Sequence, residues 1–163
     1  MVVTCAMMRR AYGLSDAVEV VPGLFVGSVV DGMDDGFLDA KDIRFIVNCT
    51  KDEEEAAGMQ IPVDDDLTFD QDRVMYRHLP RAVAAIAERL DKRPRENVLV
   101  HCFAGQQRSA AVACAFLIDK RGATLDDAIA RIRKKKPDAF RPGVNFERAL
   151  LDFESDVMFR RIL

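Results

Sequence analysis

The chain has 163 residues, 49% of them hydrophobic and 31% charged, with a formal net charge of −3. That length supports a single domain over residues 1–163 and excludes two comfortable ones. The mild acidity excludes a surface built to coat nucleic acid, so any anion site must be local.

The longest apolar runs, such as residues 110–118, reach about nine or ten residues and fall short of the roughly 20 that a membrane span needs. The amino terminus lacks a signal peptide's basic-then-apolar order, and Val2 excludes ordinary myristoylation, so a cytoplasmic address is expected, with the nucleus open. Cys5, Cys49, Cys102 and Cys114 have no CxxC spacing. A disulfide framework, a zinc site or any other metal or cofactor is therefore not expected, and His101 beside Cys102 does not make a tetrahedral site.

Residues 18–21 and 24–26 flank the turn pair Pro22-Gly23 and predict two short strands of a hairpin. Residues 34–40 predict a short helix, 43–48 a strand, and 60–63 an extended segment. The acidic stretches 51–55 and 64–72 read as solvated loops. Pro80 suits the first turn of a helix whose apolar face carries Leu79, Val83, Ile86 and Leu90.

Residues 97–101 hold the uninterrupted run Val98-Leu99-Val100, the pattern of a central strand covered on both faces. Residues 109–120 predict a helix apolar almost all round and ended by Gly122. Thr124 with Asp127 caps a helix over 125–135, and Phe146, Leu150, Phe153 and Val157 trace a last one. The basic run Arg131, Arg133, Lys134, Lys135 and Lys136 reads as the solvated face of a helix. Strands and helices in alternation give an α/β class, a central mixed, mostly parallel sheet flanked by helices. The ligand is then expected at the carboxyl end of the central strand.

That junction reads His101-Cys102-Phe103-Ala104-Gly105-Gln106-Gln107-Arg108-Ser109. A loop of consecutive backbone N–H groups curling into a helix N-terminus is a concave anion site, so Phe103, Ala104, Gly105, Gln106, Gln107 and Arg108 are the expected binders of a phosphate. The same field favours the thiolate of Cys102, the nucleophilic form of the side chain. Arg108 brings a planar fork that grips two oxygens at once, and Ser109 a hydroxyl that can donate to a departing sulfur. The plain alternative is a packed Cys102 and a surface Arg108. A strand before the loop, a glycine within it, a serine after it and an apolar helix beyond weigh against that coincidence.

The segment resembles the signature of dual-specificity phosphatases: histidine, cysteine, two residues, glycine, two residues, arginine, serine. The likeness reaches from about residue 18 to 154, through Val21-Pro22-Gly23-Leu24-Phe25-Val26-Gly27-Ser28, residues 43–50 and Ile61-Pro62-Val63-Asp64-Asp65. It implies a protein phosphatase acting on phosphotyrosine and phosphoserine or phosphothreonine through a phosphocysteine intermediate. Cys102 would be the nucleophile, Arg108 the phosphate binder, Ser109 the aid to turnover and Asp65 the general acid, with Asp64 the runner-up. The implied partner is a phosphorylated protein, with no nucleic acid and no membrane; oligomeric state leaves no trace in the sequence.

Where the family shows proline-asparagine before the phenylalanine of the last helix, this chain has Pro142-Gly143 before Phe146, leaving Asn145 as the candidate substitute. Cys49, ending a strand expected beside the central one, has two readings: a redox partner that closes a disulfide with Cys102, as in some phosphatases of the superfamily, or a packed core thiol. Two other functions share the signature, a phosphate-binding pseudophosphatase or adaptor and an RNA 5′-triphosphatase.

Overall fold

β-Branched runs form the sheet and amphipathic runs cover it in the computed structural model, which describes residues 4–51 and 58–163. Among the described residues the strands are β1 (Val18–Val21), β2 (Leu24–Ser28), β3 (Ile43–Asn48), β4 (Gly58–Gln60) and β5 (Asn97–Cys102). Their order is β1-β2-β5-β3-β4. β1 and β2 pair antiparallel across Pro22-Gly23, whereas β2, β5, β3 and β4 run parallel. The sheet is therefore mixed and mostly parallel, with Val98-Leu99-Val100 in its middle strand.

The helices are α1 (Cys5–Tyr12), α2 (Val29–Gly32), α3 (Asp35–Ala40), α4 (Phe69–Lys92), α5 (Arg108–Arg121), α6 (Leu125–Lys135) and α7 (Glu147–Ile162). Side chains alternate across a strand, so Val98 and Val100 join the large core shared with α4, α5, α6 and α7, while Leu99 turns to a smaller cluster with Phe25, Ile43, Phe37 and Leu38. Residues 109–118 of α5 are all buried. A helix enclosed this fully has its first turn fixed relative to the strand before it. Truncating a core side chain such as Phe116 to alanine would cost about 3–5 kcal/mol.

Several boundaries differ from the sequence reading. α4 begins at Phe69 rather than near Pro80, capped by Thr68, whose hydroxyl accepts from the Gln71 N–H at 3.4 Å. Asp70 and Asp72, read as part of a solvated loop, lie in its first turn, where carboxylates complement the helix dipole. Pro80 is exposed inside the helix, on the side where water can satisfy the carbonyl it leaves unpaired.

β4 lies over residues 58–60, and 61–63 continue it with one bond, Ile61 N–H to Asn48 O at 2.8 Å. Of the acidic stretch 51–55 only Lys51 is among the described residues. Lys136 leaves the solvated face expected of it: at the end of α6 it turns inward and is 1% exposed. Among the described residues no helix is long and apolar enough to cross a membrane.

Candidate active site

β5 ends at Cys102 and α5 begins at Arg108, so the loop between them opens at the carboxyl edge of the parallel strands, against the amino end of the buried helix. Gly105 gives the loop its curl. Its φ is +74°, and a Cβ there would stand 2.7 Å from the carbonyl carbon and oxygen of Gly27 on the neighbouring strand. Only glycine fits such an approach.

Two polar groups converge on the Cys102 sulfur. The Gly105 N–H points at Sγ from 3.3 Å, and the Ser109 hydroxyl lies 3.3 Å from it on the first turn of α5. Cys114 is buried within α5, and its thiol is pushed well up by loss of solvation, with Glu154 adding to the effect, so it stays protonated and inert.

Arg108 donates from Nη1 to the Val63 carbonyl at 3.2 Å, while its Nε is buried with no hydrogen-bond partner among the described residues. The guanidinium thus bridges the loop and the segment that leads to Asp65. Phe103 is exposed, and Gln106 and Gln107 point to the α6–α7 connection rather than into the loop's mouth. Gln107 donates to the carbonyls of Arg141 and Gly143 at 3.1 and 2.8 Å and accepts from the Asn145 N–H at 3.1 Å.

Gln106 is held twice. Its carbonyl accepts from the Phe140 N–H at 2.9 Å, and its amide donates to Asp138 Oδ2 at 3.3 Å. Asp138 also receives the hydroxyl of Ser15 at 2.8 Å and pairs with the buried Lys136 at 3.2 Å. Burial works to raise the Asp138 carboxyl's pKa, but the Ser15 hydroxyl, the Lys136 ammonium and Gln106 outweigh it, and the net shift is downward. None of Ser15, Lys136 and Asp138 stood out in the sequence, where Lys136 was hidden in a basic run and the other two are ordinary polar residues.

The acidic residues 64–72 separate by partner. Asp64 pairs with Lys51, Asp66 accepts from the N–H and hydroxyl of Thr68, and Asp72 accepts from the Ala149 N–H at 3.0 Å. Asp65 is exposed, and its Oδ1 accepts from Asn145 Nδ2 at 2.8 Å. Asn145 therefore braces the loop through its backbone and Asp65 through its side chain. Cys49 is buried beside the nucleophile candidate: Asn48 is the Cα partner of His101, and the Cys49 N–H donates to the His101 carbonyl at 2.8 Å. Among the described residues no three His, Cys, Asp or Glu side chains are grouped so as to hold a metal ion.

Residues 24–156 match the family model described as "Dual specificity phosphatase, catalytic domain". The chain is 36% identical over 151 residues to dual specificity protein phosphatase Mpk3 of Drosophila melanogaster, covering 88% of this chain and 35% of that protein. It is 35% identical over 144 residues to human dual specificity protein phosphatase 9, covering 84% and 36%. The chain thus spans about a third of the length of these relatives. Among solved structures it resembles a mouse putative dual specificity phosphatase complexed with zinc tungstate, with a TM-score of 0.79, 28% identity, and coverage of 90% and 91%. Human DUSP28 gives a TM-score of 0.78 at 27% identity, covering 88% and 96%.

Proposed function

The chain belongs to the dual-specificity phosphatase family, and we propose that it hydrolyses phosphotyrosine and phosphoserine or phosphothreonine in proteins, with Cys102 as nucleophile, Arg108 as phosphate clamp, Asp65 as general acid and Ser109 as partner of the sulfur. The observation that carries this reading is the Gly105 N–H and the Ser109 hydroxyl, each 3.3 Å from the Cys102 sulfur, at the mouth of a buried helix that begins with an arginine.

A phosphate ester seated in the loop places three oxygens against the amides of Phe103 to Gln107 and the fork of Arg108, which supply fixed positive charge without reorganisation. The Cys102 thiolate attacks phosphorus, the bond from phosphorus to the substrate oxygen breaks, and Asp65 gives its proton to that oxygen. The products of the first step are the dephosphorylated side chain, a phosphocysteine and the Asp65 carboxylate. Water then attacks the phosphocysteine, Asp65 takes its proton back, and sulfur leaves as a thiolate with the Ser109 hydroxyl donating to it. Inorganic phosphate departs and the site is restored.

Breadth of substrate rests on membership of the dual-specificity family, whose model matches residues 24–156. Gln106 and Gln107 are spent on the α6–α7 connection, which leaves Arg108 as the loop's charge and suits a single phosphate.

The test is hydrolysis of para-nitrophenyl phosphate and of phosphotyrosine, phosphoserine and phosphothreonine peptides by freshly reduced protein without added metal. Turnover, with a phosphocysteine at residue 102 trapped by acid quench and found by mass spectrometry, is the expected result. Binding of tungstate, a tetrahedral oxyanion, without turnover of any ester would instead make the chain a phosphate-binding adaptor.

A further inference from the structure

The amino-terminal segment lies ahead of the residues matched by the family model, yet it is fixed to the surroundings of the phosphate loop at three points. Arg9 of α1 donates to Asp31 at 2.8 Å, and Asp31, itself buried, also accepts from the Ser28 N–H and hydroxyl at the end of β2. The Tyr12 ring meets Phe103 edge-on with centroids 5.9 Å apart. Beyond the turn at Gly13, Ser15 donates to the same Asp138 oxygen that accepts from Gln106. α1 is thus pinned beside the loop.

Between α1 and the loop runs a groove of about 270 Å³ bounded by Met8, Tyr12, Val30, Met33, Thr50 and Phe103. Among the described residues no Asp, Glu, Lys or Arg lines it. Tyr12, Met33 and Phe103 are 64%, 53% and 49% exposed, so three large apolar side chains face water together next to the loop. Apolar surface concentrated in this way marks an interaction site.

We propose that this groove receives an apolar side chain of the phosphorylated protein, one or two residues from the phosphorylated position. The inference rests on the loop binding the phosphate. Phe103 follows Cys102 directly, about 3.8 Å along the chain, and belongs to both loop and groove. A peptide whose phosphate is seated at Cys102 advances about 3.3–3.6 Å per residue, which carries its next side chains past Phe103 and onto the groove. The occupant is thus the substrate already in the site, and the chemistry of the walls selects leucine-like over charged neighbours. Tyr12 and Met33 are the specificity residues.

Phosphotyrosine nonapeptides carrying leucine, aspartate or lysine at each of the two positions on either side test this by fluorescence anisotropy with Cys102→Ser protein, which reads binding whether or not the wild type turns over. Leucine at one of these positions should bind roughly 10-fold or more tighter than aspartate, the discrimination available to a half-open apolar pocket. Tyr12→Glu should erase the leucine preference and reverse it toward lysine; Met33→Glu, on the opposite wall, should do the same if the first variant fails to fold. A leucine preference without wild-type turnover would keep the groove and remove the phosphatase reading. Equal binding of all peptides, or a preference unmoved by both variants in folded protein, would overturn the groove.

Discussion

The side-chain amide of Asn145 donates to Asp65 Oδ1 at 2.8 Å. Its backbone N–H also donates to Gln107 Oε1, so one residue before α7 ties the proposed acid to the phosphate loop. A hydrogen bond orients a carboxyl without replacing it, so the two residues should differ in what they cost.

Asp65→Asn should slow a phosphoserine or phosphotyrosine peptide by roughly 10²-fold or more, the usual range for losing acid catalysis. Difluoromethylumbelliferyl phosphate, whose leaving group needs little protonation, should suffer much less. Asn145→Ala should follow the same leaving-group pattern at about a tenth of the size. Asp64 is engaged by Lys51. If Asp64→Asn shows the leaving-group pattern and Asp65→Asn does not, the acid is one residue earlier.

Cys102→Ser should abolish turnover while preserving the fold and the binding of phosphate analogues, because the loop's shape is set by Gly105 and its outer hydrogen bonds rather than by sulfur. Hydrolysis above a few thousandths of wild type would count against this nucleophile. Arg108→Lys should lose most activity as well, since a point charge cannot make the bidentate contact. Near-normal kinetics in that variant would remove the clamp.

The loop and its fold were legible because they depend on local pattern: a β-branched run, a glycine needing positive φ and an apolar helix stand in the sequence as they stand in space. The start of α4 was hidden because Pro80 imitates a first-turn proline and because Asp70 and Asp72 look like loop residues until the helix dipole gives them a reason. Asn145 was in view only as a substitute for a missing asparagine, and its bond to Asp65 joins residues 80 positions apart. Lys136, Asp138 and Ser15 were out of reach for the same reason: Ser15 and Asp138 are 123 positions apart, and no periodicity reports that contact.

Cys102 ends β5 and Cys49 directly follows the neighbouring parallel strand β3, with Asn48 and His101 aligned one position before them. Aligned residues on adjacent strands lie about 4.8 Å apart, within the Cα range a disulfide accepts. A sulfenic acid formed on Cys102 can condense with the neighbouring Cys49 thiol, releasing water, before a second oxidant reaches it. Mild peroxide should therefore give a Cys49–Cys102 link, with activity restored by dithiothreitol. Sulfinic acid on Cys102 with no such link in the mass spectrum would assign Cys49 to packing alone.

The pair formed by Lys136 and Asp138 should couple stability to pH. Lys136 is 1% exposed and Asp138 is its carboxylate partner at 3.2 Å. Asp138→Asn leaves a buried ammonium short of charge compensation, and we expect a loss of about 2 kcal/mol at pH 7, less than for a fully enclosed pair because the Asp138 side chain is 30% exposed. Because the folded-state pKa of Asp138 is depressed, its contribution is fully present above the carboxyl's unfolded value of about 3.9 and disappears as pH falls through the lower folded value. Urea unfolding of wild type and Asp138→Asn should therefore differ by a constant amount from pH 7 to about pH 5 and converge below about pH 4. Since Asp138 also holds Gln106, the variant should raise KM for phosphopeptides at neutral pH, and a variant as stable as wild type with an unaltered KM would show that the pair supports neither the fold nor the loop.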